Sequence, residues 1–266
     1  MYLPTISHSL AVGGAKLVLT AISPFQKLFD PPGITHEFCN QQALQILHND
    51  GFALYAQFLT TYMTELTAGV YWADKGWRNV SHYFEPSSGK GLWQFATAIE
   101  TFQLYYQQGI SNLHGKNYSR AVFFLGAAAH LMQDLCVPHH ARGKLFSGHK
   151  EYESWVQQCY THYAVESNHI MSKDATLASQ LLGNAVVAAD LFDWVNLDQG
   201  ATDYHEATAI LLPQAQRSTA GLFLKFCLAS SHSLHHATPS TISNDGHSRG
   251  DWRVAFSHGE NSFYVK

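Results

Sequence analysis

The sequence predicts an all-α fold, a single bundle of seven or eight helices around one core. Two observations carry this. Long segments place their apolar residues at helical spacing, as in LWQFATAIETFQLYYQQGISNL over residues 92–113. No stretch sustains the period-two alternation of a half-buried strand, and no internal repeat is present. The length of 266 residues allows one large domain or two small ones, and a hydrophobic fraction of 46% suffices for a sizeable core.

Taken in order, residues 1–33 contain SLAVGGAKLVLTAI, an apolar run broken by Lys16 and two glycines. It makes a poor secretory signal and reads as a leader remnant or an amphipathic helix. FDPPG is a turn. Thr35 is expected to cap a helix over 36–50 that stops at Asn49-Asp50-Gly51. A second helix is expected over 52–67, and RNVSHYFEPSSGKG over 78–91 is too polar and too Gly/Pro-marked for regular structure. Further helices follow over 92–113, 117–137, 149–171, 175–195 and 206–230, with Pro213 marking a break or a start in the last. Residues 231–266 are rich in Ser, His, Asn and Gly and read as a mobile tail. Arg249-Gly250-Asp251 in that tail matches an adhesion tripeptide, a motif short enough for chance.

Composition narrows the function. A net charge of −4, with only 14% charged residues, argues against a nucleic-acid grip by a basic face. Cys39, Cys136, Cys159 and Cys227 are scattered, with no Cys-x-x-Cys, and define no disulfide framework. No run approaches about 18 apolar residues, so no transmembrane helix is expected.

The chemistry concentrates in HLMQDLCVPHHARGKLFSGHKEYE, residues 130–153. His130 and Asp134 are four apart on one helix face. Pro138 is expected to end that helix, and His140 returns from the turn. His149 and Glu153 repeat the spacing on a second helix with Ser147 as its cap. One His-x-x-x-Asp pair is more often a surface pair or a hydrogen-bonded core histidine. Two such pairs flanking a Pro-x-His turn point to a metal centre, and imidazole with carboxylate suits zinc.

The segment His130-Leu-Met-Gln-Asp134-Leu-Cys-Val-Pro138-His-His140 resembles the signature of the bacterial zinc-dependent phospholipase C family, with His149 and Glu153 as its distal pair. Val70-Tyr-Trp-Ala-Asp74 is similar to that family's Tyr-Ala-Ala-Asp, and Ser81-His82-Tyr-Phe-Glu-Pro86 to its Ser-His-Phe-Tyr-Asp-Pro. Asn184-Ala-Val-Val-Ala and Ala215-Gln-Arg-Ser-Thr-Ala-Gly221 resemble further family segments, and Thr35-His36 falls where the family has an N-terminal histidine ligand. The likeness spans roughly residues 34–228.

The resemblance implies a helical bundle with a multinuclear cleft of two to three zinc ions in a catalytic domain over 34–230. By it, Asp74, His82, His130 and Asp134 hold one ion, and His140, His149 and Glu153 hold a second. His36 serves a third with Asp134 bridging. It implies hydrolysis of glycerophospholipids at a membrane surface by a secreted monomer, with Asp74 as the catalytic base. In the family a mature N-terminal tryptophan completes the third site, whereas here the first tryptophan is Trp72, so that site is expected to be weaker or closed differently. Lys75 and Asn79 stand where choline-binding members carry aromatic residues, which removes a cation–π cage. The lipid-docking β-sandwich of toxin members is not expected in the short tail. Two rivals are a single-strand nuclease of the same superfamily and an inactive helical protein with closed structural zinc sites.

Overall fold

The computed structural model describes residues 33–166, 175–196 and 200–232. Among these are nine α-helices: α1 Ile34–Asn49, α2 Ala53–Thr61, α3 Met63–Ala73, α4 Ala98–His114, α5 Tyr118–Asp134, α6 Pro138–Ala141, α7 His149–Cys159, α8 Leu177–Asp190 and α9 Ala201–His232. Four short 3₁₀ turns accompany them, and the one β feature of the described residues is a bridge between Glu85 and Lys90. The fold is all-α, as expected. The readings of the first 32 residues as a leader or amphipathic helix, and of those beyond 232 as a mobile tail, fall outside the described residues.

α5 is the axis of the bundle. It packs against α3 and α4 on two sides and α9 on a third. Every residue from Leu125 to Asp134 is buried, so its last turns are surrounded by protein. Its start is capped by Asn117, whose side chain accepts from the Arg120 amide. α9 supplies the other buried face, with Leu222, Phe223 and Phe226 in the core.

Several boundaries differ from expectation, each for a local reason. The predicted 52–67 helix breaks at Tyr62 and resumes as α3 as far as Ala73. The hydroxyls of Thr60 and Thr61 bond back to the carbonyls of Ala56 and Gln57 at 2.8 and 3.0 Å, which loosens the helix just before the break. The supposedly irregular 78–91 stretch opens with a 3₁₀ turn, Gly76–Ser81. α4 starts at Ala98 rather than residue 92, because Thr97 and Glu100 form a reciprocal capping box. Pro138 does not terminate α5, which ends at Asp134. It occupies the first position of α6, where its missing N–H costs nothing. Ser147 does not cap α7; that place is taken by Gly148 at φ 87°, with no side-chain cap. α7 stops at Cys159, well short of residue 171. α9 runs unbroken through Pro213, where burial outweighs a proline cost of about 3 kcal/mol, and it reaches two residues past the predicted boundary.

Two glycines bring α3 and α5 into backbone contact. A Cβ on Gly69 would collide with the Phe123 carbonyl, and one on Gly126 with the Leu66 carbonyl. This crossing carries the C-terminal end of α3, with Asp74, toward the C-terminal half of α5. Replacing Gly126 by Ala should therefore lower unfolding stability by about 1–3 kcal/mol or more, since neither backbone can yield. Urea denaturation checks this, and an unchanged midpoint would show that the crossing is slack.

Candidate metal centre

Each cluster residue is delivered by a helix end or a buried turn. His36 sits in the first turn of α1 and Asp74 at the C-cap of α3. His82 closes the 3₁₀ turn, His130 and Asp134 lie on one face of α5, and His140 belongs to α6. His149 opens α7 and Glu153 lies one turn on. The structure brings all eight into overlapping groups: His36, His130 and Asp134; Asp74, His82 and His130; His82, Asp134 and His140; and His140, His149 and Glu153. Within each group the ligand-type atoms lie within 4.8 Å of one another.

The Asp134 carboxylate is the hub. His82 Nδ1 and His130 Nε2 approach its Oδ2 at 2.8 and 3.1 Å, and His36 Nε2 lies 3.5 Å from Oδ1. Yet Oδ2 is buried with no partner in hydrogen-bond geometry. At the far end His149 Nε2 and His140 Nε2 stand 2.9 and 3.7 Å from Glu153 Oε1. Asp74 is exposed and the Glu153 side chain is 41% exposed, so the cluster opens to solvent at both carboxylates.

The outward nitrogens fix which nitrogen of each ring is left to the cluster, where His82 Nδ1 also lies 3.2 Å from His130 Nε2. His82 Nε2 donates to the Ala73 carbonyl at 3.1 Å, His140 Nδ1 to the His82 carbonyl at 3.1 Å, and His36 Nδ1 to Gln133 Oε1 at 2.8 Å. A neutral imidazole has one N–H, so in each ring the nitrogen facing the carboxylates is left with a lone pair. Lone pairs converging on carboxylate oxygens need a cation between them. Histidines that spend their far N–H on a carbonyl are what metal ligation requires, and the N/O donor set fits zinc.

Without a metal, protons must serve. Burial lowers the His140 pKa, but the Asp134 and Glu153 carboxylates outweigh it and raise it to about 9. Burial likewise opposes, and Asp134 reverses, the shift of His130, which ends raised. Burial also works against ionisation of Asp134, but His130, His140 and His82 hold it well below the usual carboxylate range. Desolvation among the packed rings is overcome at Glu153 by His149 and His140, with the same outcome. At His36 burial and the neighbouring His130 prevail, and its pKa is lowered.

Three residues at the site were given no role from the sequence. Gln133 holds His36. Tyr83 stacks on His140 with centroids 4.6 Å apart. His139 stacks on His149 at 4.9 Å while its Nε2 donates to the Ser147 carbonyl at 2.9 Å, tying down the left-handed turn that launches α7. Burial and then His149 lower the His139 pKa to about 4, so it is a neutral packing ring. The only signal for these was adjacency to predicted ligands.

The sequence model of a family described as zinc dependent phospholipase C matches residues 35–196. Among solved structures the chain is similar to the alpha toxin from Clostridium absonum, with TM-score 0.67 and 18% identity. It is also similar to the Clostridium perfringens alpha-toxin isolated from avian strain SWCP, with TM-score 0.63 and 19% identity. In each case the match covers 74% of this chain and 64% of the toxin, so the chain spans under two thirds of the toxins' length. At such identities the likeness shows the fold. No curated protein sequence matches.

Proton and metal compete for the same lone pairs, which sets a pH dependence. In the metal-free protein the raised pKa of His140 contributes stability that is complete below its ordinary value of 6.5 and is lost as pH rises through about 9. Zinc binding through His140 would expel that proton. Zinc uptake should therefore release at least one proton near pH 7, and affinity should rise about tenfold per pH unit per proton until about pH 9. Asp134 and Glu153 stay ionised over this interval. Calorimetric titration in two buffers of different protonation enthalpy measures the release; none between pH 6 and 8 would remove His140 from the ligand set.

Proposed function

The chain belongs to the zinc dependent phospholipase C family, and we propose that it hydrolyses glycerophospholipids to diacylglycerol and a phosphorylated headgroup. The observation that carries this is the open, carboxylate-hubbed cluster: the five donors His36, Asp74, His82, His130 and Asp134, and a His140, His149, Glu153 trio with a half-exposed edge. A structural zinc site closes itself with four protein ligands, whereas three ligands and an open position mark a catalytic one.

Two to three zinc ions per chain would be held, by Asp74, His82, His130 and Asp134; by His140, His149 and Glu153; and by His36 with Asp134 shared. When bound, zinc supplies Lewis-acid polarisation of the phosphoryl oxygens and lowers the pKa of water toward about 7. Asp74 then has the right place for a base. Its carboxylate is exposed, at the end of α3, within reach of His82 and His130. It would take the proton of the attacking water while the buried ligands stay committed. The enzyme would act as a monomer, outside the cytoplasm, on lipid presented at a membrane surface. Among the described residues no helix is long and apolar enough to cross a membrane.

The deciding experiment is a hydrolysis assay on a phospholipid headgroup panel beside single-stranded DNA, with zinc measured on the same sample. Phospholipid turnover is expected, with two to three zinc per chain. Turnover of DNA alone would favour the nuclease reading, and neither activity at full zinc content would favour a structural role. Because Lys75 is exposed and no aromatic stands there or at Asn79, phosphatidylcholine should not be preferred over phosphatidylethanolamine or an anionic headgroup. A tenfold preference for it, about 1.4 kcal/mol in transition-state binding, would mean that a cage is built from other residues.

Asp74→Asn keeps the shape and one coordinating oxygen but removes the basic carboxylate. It should leave zinc content nearly unchanged while kcat falls about 10²–10⁴-fold, the usual worth of a general base. A fall in zinc with partial rescue by added zinc would make Asp74 chiefly a ligand, and no change in either would place it outside the reaction.

A further inference from the structure

His36 comes to the hub from α1, and what holds it is a chain of hydrogen bonds rooted in α9. Thr219, fully buried, gives its one hydroxyl proton to the Ala215 carbonyl at 2.7 Å. Its oxygen can then only accept, and it accepts from Gln133 Nε2 at 3.1 Å. The second hydrogen of that amide goes to Asn40 Oδ1, in α1, at 2.9 Å. With both N–H groups committed, Oε1 is the end of Gln133 that faces His36, 2.8 Å from Nδ1. Nδ1 must therefore carry the proton, which leaves the Nε2 lone pair on the side of Asp134 Oδ1, 3.5 Å away. Turning the amide over would set Oε1 against a hydroxyl with no proton to give, in a buried site where an unmatched polar contact costs about 1–3 kcal/mol.

We propose that Gln133 is a positioning residue: the Thr219–Gln133–His36 chain selects the Nδ1–H tautomer of His36 and so aims its Nε2 at zinc. This rests on the reading of His36 as a ligand. Which imidazole nitrogen is free to ligate is decided by the hydrogen bond the other makes, and losing such a partner typically lowers metal affinity about 10- to 100-fold. The group His36, His130 and Asp134 has only three donors among the described residues, which leaves it little to compensate with if one ring turns away.

The test reads the tautomer and the metal rather than lipid turnover. Long-range ¹⁵N–¹H spectra of the metal-free protein, with His36 assigned by its loss in His36→Asn, should show the Nδ1–H form. Titration with zinc alone should show Gln133→Leu losing one zinc equivalent, or binding it about 10- to 100-fold more weakly, with helical content retained. Gln133→Glu keeps an acceptor for His36 while giving up the donors to Asn40 and Thr219, and should restore that equivalent. Thr219→Val, remote from the ring, should weaken the same site by a smaller factor. The proposal is overturned if wild-type His36 carries its proton on Nε2, if folded Gln133→Leu binds zinc as wild type does, or if the Leu and Glu variants are equally impaired. Should Gln133→Leu fail to fold, the wild-type spectrum and Thr219→Val still decide. A protein that passes these tests but turns over no phospholipid would overturn the proposed activity and leave this role standing.

Discussion

The constraint on which the rest of the structure depends is a carboxylate buried at the end of the central helix. Asp134 is nearly inaccessible, and burying a lone carboxylate costs several kcal/mol. Four histidines approach it, at 2.8, 3.1, 3.5 and 3.9 Å, and each comes from a different stretch of chain or a different turn. The bundle is arranged so that they can. α5 must be surrounded on all sides for its last turn to be interior, and the Gly69 and Gly126 crossing lets α3 lie against it closely enough to bring Asp74 and His82 near. The chain must also leave the helix and return at once. Leu135 to Pro138 does this, and the Phe84 amide bonding to the His140 carbonyl at 3.1 Å joins the returning turn to the loop that carries His82.

How much of this could be read from residues alone depended on whether the information was local. α5, α7 and the four-residue pairs upon them were legible, because a helix converts sequence spacing into spatial proximity. The Thr97–Glu100 capping box was equally local and marks the true start of α4, although apolar periodicity draws the eye to residue 92. The continuity of α9 through Pro213 was not legible. It depends on burial against α1 and α5, which no local rule contains. His36, Asp74 and His82 lie about 50 to 100 residues from the centre they join. No local spacing ties them to it, and only the likeness of whole ordered segments to a family links them. Gln133 had no signal beyond its place next to Asp134, since its meaning arises from α1 and α9 meeting beside it.

The two ends of the cluster differ in how they are secured. His82 and His140 spend their outward protons on backbone carbonyls, those of Ala73 and His82 itself. No side-chain substitution removes such an acceptor, so those rings keep their orientation as long as α3 and the 82–84 loop keep their path. His36 instead relies on a side-chain amide that depends on a hydroxyl and on a second amide. The hydrogen bonds of the Gln133 amide close only when it faces one way, and they can be dismantled by a single substitution. The orientation of His36 can therefore be changed by substituting a neighbouring side chain, whereas that of His82 and His140 follows the backbone.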